Sequence, residues 1–175
     1  AFIKRVTEGT LERGLELDYY LNGHSTVPVG KMRPLIRCLM RMSVYQLLYM
    51  DSVPDSAVCD EACKLAAKRG FQRLKGFVNG VLRQISREKG SLALPDEEKE
   101  PVLYDSVKYS MPRWLVELWR REYGPEISRT ILEGLMAIRP VSLRFCLRTP
   151  EEERGQLCAR MREKSMTVEQ SPYLP

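Results

Sequence analysis

Nine side chains of one sign carry the most pointed chemistry in this chain, and that chemistry is anion binding. Lys64, Lys68 and Arg69 fall at the end of one amphipathic segment, and Arg73 and Lys75 open the next. Arg83 and Arg87 follow further along that second segment, and Arg37 and Arg41 stand one helical turn apart on an earlier one. Cations gathered around a helix–helix corner suit phosphate groups and give an affinity that falls with salt. Gly70 and the free amide groups of the following helix start can add to such a site. Arg37 and Arg41 have a structural alternative, because their segment is almost wholly apolar. There they can pair with Asp51, Glu61 or chain carbonyls.

The surrounding charge agrees with this. Residues 1–90 hold 15 Lys/Arg against 9 Asp/Glu, a balance of +6, whereas residues 91–175 come to −1. A basic first half joined to a near-neutral second half fits a polyanion-binding module with a connector, although a solvated cationic surface without a ligand has the same composition.

Other chemistries find little support. Cys59 and Cys63 are spaced i, i+4 and could form half a metal site, but the single histidine, His24, is in a loop and no second pair exists. Zinc requires four ligands. The five cysteines lack the density of a disulfide framework, which points to reduced thiols and a cytoplasmic setting. There is no Gly-x-Gly-x-x-Gly loop, and no serine has a triad motif around it. The longest apolar stretch, Leu35 to Met50, is interrupted by Arg37 and Arg41 and is too short to cross a bilayer, so no membrane partner is expected.

The elements that must position the cations can be read from periodicity. A first helix is predicted from Phe2 to Leu21, with Ile3, Val6, Leu11, Leu15 and Tyr19 along it, and a loop over His24–Gly30. A second runs from Met32 to Met50; 12 of the 16 residues from Leu35 onward are apolar, which places it at the centre of a bundle. A third begins at Asp55 or Ser56, either of which can cap it, and ends at Gly70. The fourth carries Leu74, Phe77, Val78, Val81, Leu82 and Ile85 on one face. Two glycines, Gly76 and Gly80, sit inside it, each costing up to about 1 kcal/mol relative to Ala. Close approach of a neighbouring helix is the expected reason. Asn79 is expected to be a buried hydrogen-bonding residue. Ser91–Pro101 reads as a linker. Two connector helices follow, separated by Gly124-Pro125, the first burying Leu115, Leu118 and Trp119 and the second carrying Ile127, Ile131, Leu132 and Leu135 on one face. Val141–Arg148 alternates as a strand, Thr149-Pro150-Glu151-Glu152 reads as a capping box for a helix to Lys164, and Met166–Glu169 could add a second strand.

Gly76-Phe-Val-Asn-Gly-Val-Leu-Arg83 resembles the signature of the NusB-like RNA-binding domain, in the form that opens the RsmB (Sun, Fmu) family of bacterial ribosomal RNA cytosine-C5 methyltransferases. The resemblance extends over Arg37–Arg41 with Tyr45–Tyr49, over Val53–Ala66, over Tyr109-Ser-Met-Pro-Arg-Trp114, and over Pro140–Arg144. The last two segments resemble the methyltransferase rather than free-standing NusB. The implied fold is mainly α: a NusB-like antiparallel helical bundle over 1–92, a linker and two-helix connector over 93–139, and a short α+β piece over 140–175.

The resemblance implies a role holding small-subunit ribosomal RNA, with S-adenosylmethionine as the methyl donor of the whole enzyme and a ribosomal protein as a conceivable partner. The family's thiols sit in Pro-Cys-Ser and Thr-Cys motifs and its cofactor in a Rossmann-like fold with a glycine-rich loop; none of these is present, so no catalytic residue and no cofactor is expected in this chain. Cys146 stands in a strand motif and is expected to be a core or sheet residue. A chain that opens on Ala1 in mid-helix and closes after one or two strands is expected to be part of a longer protein. The competing readings are a NusB-type antitermination factor and a protein-interaction module built on Trp114, Trp119 and Tyr123.

Overall fold

The computed structural model describes residues 2–137 and 141–170. The expected domain boundary at Arg139 and Pro140 of the Pro140–Arg144 segment lie outside them. The chain divides into two compact units, Ala1–Met136 and Ala137–Pro175.

Among the described residues the first unit holds seven helices: α1 (Phe2–Glu12), α2 (Gly14–His24), α3 (Pro34–Tyr49), α4 (Asp55–Lys68), α5 (Lys75–Glu88), α6 (Pro101–Lys108) and α7 (Arg113–Met136). Short 3-10 turns precede α3 and α5. Helix α3 is the hub. It packs against α1, α2, α4 and α5, and only Pro34 and Cys38 of its residues are exposed. Its apolar run therefore does what its composition demands: Ile36, Met40 and Val44 meet Leu17 and Leu21 of α2, Val58 and Ala66 of α4, and Val78, Leu82 and Ile85 of α5 in one core.

The single first helix is corrected to two. Arg13 has φ −104° and ψ 21° and breaks the helix between Glu12 and Gly14. Gly14 weakens the helix there, and tertiary contacts hold the break. The Arg13 guanidinium donates to Glu16 at 2.9 Å and lies 4.3 Å from the Tyr49 ring centroid. Glu16 is 7% exposed and also accepts from the Tyr49 hydroxyl at 2.6 Å. Ile3 and Leu11 are exposed, at 80% and 77%, so they are not core residues as the periodicity suggested.

Burial, then the bond to Glu16, pushes the Tyr49 hydroxyl upward. Burial, then the charge of Glu16, pushes Tyr20 up to about 12. An unfolded tyrosine ionises near pH 10. The folded state thus keeps protons that the unfolded chain gives up, so stability present below about pH 10 is lost as pH rises toward 12. Urea unfolding at pH 9, 10.5 and 11.5 should show this decline, and Tyr20→Phe should make it shallower.

Asp55 does not cap α4. The N-cap is Pro54, and no side chain caps the helix. Asp55 instead accepts from Ser86 at 2.7 Å and pairs with Lys89 at 2.9 Å, tying the start of α4 to the end of α5. At its other end α4 closes as foreseen. Gly70 has φ 86°, and the Phe71 amide donates to the Ala66 carbonyl at 2.9 Å while the Gly70 amide donates to Ala67 at 3.0 Å. That is the Schellman arrangement, which needs a residue free to adopt positive φ.

Residues 101–108, where no helix was foreseen, form α6, with Pro101 in its first turn. Helices α6 and α7 enclose a small second core of Tyr109, Val116 and Leu132. Gly124, at φ 80° and ψ 167°, breaks α7 ahead of Pro125, as the sequence indicated. The buried face differs from the one expected. Val116, Ser128 and Leu132 are buried, Leu115, Leu118 and Trp119 are only half-buried, and Ile127 and Leu135 are 57% and 49% exposed. Asp105, fully buried, replaces apolar packing there: Arg120 donates to it at 2.7 Å and Arg129 at 3.2 Å.

The second unit contains α8 (Glu151–Glu163) and, among the described residues, no strand. Residues 141–146 alternate as a strand should, but a strand is held by a partner's ladder and none lies alongside. Val141 and Leu143 are 86% and 67% exposed, and Cys146 is exposed rather than in a core or sheet. The residues at 166–169 are likewise not a strand. The capping box is not formed: the N-cap is Pro150, without a side-chain cap. Arg154 instead donates to the Thr149 carbonyl at 2.9 Å.

Candidate nucleic-acid interface

The α4–α5 corner collects four of the nine sequence-picked cations, and the nine differ in what each already holds. Lys68 and Arg69 end α4, Arg73 lies in the 3-10 turn, and Lys75 starts α5; all four are exposed. None of these four side chains makes a hydrogen bond or ion pair with a described residue. Among the described residues their charges are unpaired and open to a phosphate.

The other five are committed or partly enclosed. Lys64 pairs with Glu61 at 2.7 Å, a bond that raises its ammonium above the ordinary lysine value. Arg83 donates to Asn79 Oδ1 at 3.0 Å, and Arg87 donates to the Arg83 carbonyl at 3.3 Å. Arg41 is gripped by Asp18, with Nε to Oδ1 at 2.6 Å and Nη2 to Oδ2 at 2.5 Å. The two-pronged bond to Asp18 raises Arg41 further against the lowering effect of burial. Of the partners foreseen for these arginines, neither Asp51 nor Glu61 is used. Arg37 is half-buried, and its Nε has no partner.

The structure brings Lys64, Lys75 and Arg83 together around one surface groove, which Asp60, Cys63, Gly76 and Asn79 also line. Asp60 was not picked from the sequence, although its place one turn ahead of Lys64 was a usable signal. Asn79 is half-buried rather than buried.

Gly76 and Gly80 are exposed, and an added Cβ at either would meet nothing within 4 Å. The close helix approach expected at these glycines is therefore corrected; it occurs at Gly9, where an added Cβ would overlap the Tyr45 ring. Two opposite effects follow. Gly9→Ala should destabilise the chain by about 1–3 kcal/mol through overpacking. Gly80→Ala should stabilise it by about 0.5–1 kcal/mol through helix propensity. Urea midpoints of the two variants measure both.

Among the described residues no group of His, Cys, Asp and Glu is arranged to hold a metal ion. The described cysteines are free thiols. No helix is long and apolar enough to cross a membrane.

A helical bundle with an open cationic corner on its signature helix is the class that this fold and site define. The NusB family matches residues 1–87. A transcription antitermination protein NusB of Bacillus velezensis is 30% identical over 89 residues, covering 50% of this chain and 68% of that protein. The chain belongs to the NusB family. Similarity also runs past the bundle. A probable ribosomal RNA small subunit methyltransferase B of Bacillus subtilis is 33% identical over 161 residues, 92% of this chain and 35% of that protein. Its counterpart in Synechocystis is 34% identical over 125 residues, 70% of this chain and 27% of that protein. The chain thus spans about a third of the length of these methyltransferase relatives. No solved structure gives a significant match.

Proposed function

We propose that this chain is the RNA-gripping region of a small-subunit ribosomal RNA cytosine-C5 methyltransferase of the RsmB type. The observation that carries the RNA-binding part is the set of four exposed, uncommitted cations at Lys68, Arg69, Arg73 and Lys75. The methyltransferase part rests on similarity that continues over the connector, to 92% of the chain in the Bacillus subtilis relative. The NusB match of 89 residues is the weaker competitor for that reason.

Methyl transfer would draw on S-adenosylmethionine, whose binding chemistry does not fit the described residues: they offer neither a glycine-rich loop nor a strand–helix crevice. No catalytic step is assigned to this chain. Its part is to hold and orient the RNA, in the cytoplasm and without a membrane. A ribosomal protein is a second partner on this reading. The exposed Trp114, Tyr123 and Ile127 of α7 favour a protein contact on the connector, separate from the RNA face.

The test is a salt titration of the chain with small-subunit ribosomal RNA fragments. Four phosphate contacts give a slope near −3 in log K against log salt, so affinity should fall about 50-fold between 50 and 200 mM salt. Absence of binding even at the lower salt would overturn the reading.

A further inference from the structure

The α4–α5 groove is adjacent to the open cationic corner and shares Lys75 with it. Gly76, in the first turn of α5, lines it and helps keep it open, since a Cβ added there would meet nothing within 4 Å. Its lining is mixed. Lys64, Lys75 and Arg83 supply positive charge, Cys63 is a buried apolar wall, and Asp60 and Asn79 add polar side chains.

Asp60 decides the kind of occupant. A carboxylate repels a bare phosphate but accepts hydrogen bonds from a base amine, a ring N–H or a ribose hydroxyl. Asn79 complements it. Its carbonyl oxygen accepts the Arg83 Nε–H at 3.0 Å, which leaves its NH2 group free to donate. One acceptor and one donor beside an apolar wall, with ammonium groups close by, match a nucleoside with its phosphate. A base inside a duplex has its Watson–Crick edge occupied and cannot present it.

We infer that this groove seats one unpaired RNA nucleotide, its base or ribose held by Asp60 and Asn79 and its phosphate by Lys75, Lys64 being already paired with Glu61. The inference deepens the RNA-binding reading and rests on it.

The test is fluorescence anisotropy of the full chain with a labelled single-stranded RNA and with the same RNA fully paired, repeated on Gly76→Leu and Asn79→Ala. Gly76→Leu places a side chain at the groove wall, where its Cβ meets nothing within 4 Å, so it should leave the packing intact. Circular dichroism checks that. The unaltered chain should prefer the unpaired strand, and each variant should lose about tenfold for that strand, as expected for one base contact, with the duplex unaffected. Equal affinity for strand and duplex, or full affinity in a folded Gly76→Leu, overturns the groove assignment while leaving the RNA reading intact. No RNA binding by the unaltered chain overturns both.

Discussion

Charge reversal at Lys68, Arg69, Arg73 and Lys75 together is expected to lower affinity for small-subunit ribosomal RNA by at least about 100-fold at low salt, and to flatten the salt dependence by about three in slope. The magnitude follows from the state of the four side chains. They lie on a short arc from the end of α4 to the start of α5, all exposed, and none is held by an acidic neighbour among the described residues. Each therefore offers its whole charge to a ligand, and each substitution replaces an attraction with a repulsion. Reversal at Arg41 makes the contrast. Asp18 already neutralises that guanidinium through two hydrogen bonds, so Arg41→Glu should cost stability and change RNA affinity little. Filter binding of both variants across a salt series distinguishes the two sets. Similar losses for both would mean that overall net charge, and not the corner, governs binding.

The second large effect is on stability. Asp105→Ala should destabilise the α6–α7 region by about 3 kcal/mol, within the range for breaking a buried ion pair. The Asp105 side chain is fully buried and receives Arg120 and Arg129, whose side chains are 20% and 35% exposed. Removing the carboxylate leaves two guanidinium groups without their shared acceptor, although Arg129 keeps Glu97 at 2.8 Å. Their partial exposure lets water relieve some of the cost. A drop of about 6–12 °C in Tm is the expected reading for a chain of this size. Hydrogen exchange should quicken in α6 and α7 first, because their apolar core is small: Tyr109, Val116 and Leu132. A change under about 2 °C would show that Asp105 is not what fastens these helices.

The parts of the fold that were legible in the sequence are those in which local pattern and tertiary packing agree. The apolar run of α3, the Gly70 stop of α4 and the stripe of α5 each point to one solution, and Gly124-Pro125 marks a break that any context would keep. The misread parts depend on distant residues. Gly14 weakens the helix after Arg13, but a lone glycine does not specify a break; the contact with Tyr49, 36 positions away, holds it. The strand at 141–148 has the right alternation but no ladder partner among the described residues. Helix α6 is short, and its buried positions include Asp105 and Ser106, which periodicity counts against a core.

The site divides in the same way. Residue types and spacing picked out the cations, since charge is a property of the sequence. Which of them are free is not, because Asp18 lies 23 positions from Arg41. The glycines were misassigned for a related reason. A glycine that admits a neighbour and one that keeps a surface open look identical until the neighbour is placed, and here Gly9 is the first kind and Gly76 the second.

The central claim, that the α4–α5 corner is the RNA grip, is tested most directly by ultraviolet crosslinking of the chain to small-subunit ribosomal RNA with peptide mapping of the adducts. The account predicts adducts concentrated between residues 64 and 87, lost at high salt and absent in the four-fold charge-reversed variant. Adducts concentrated instead on α7 or α8, with residues 64–87 free of RNA, would contradict it.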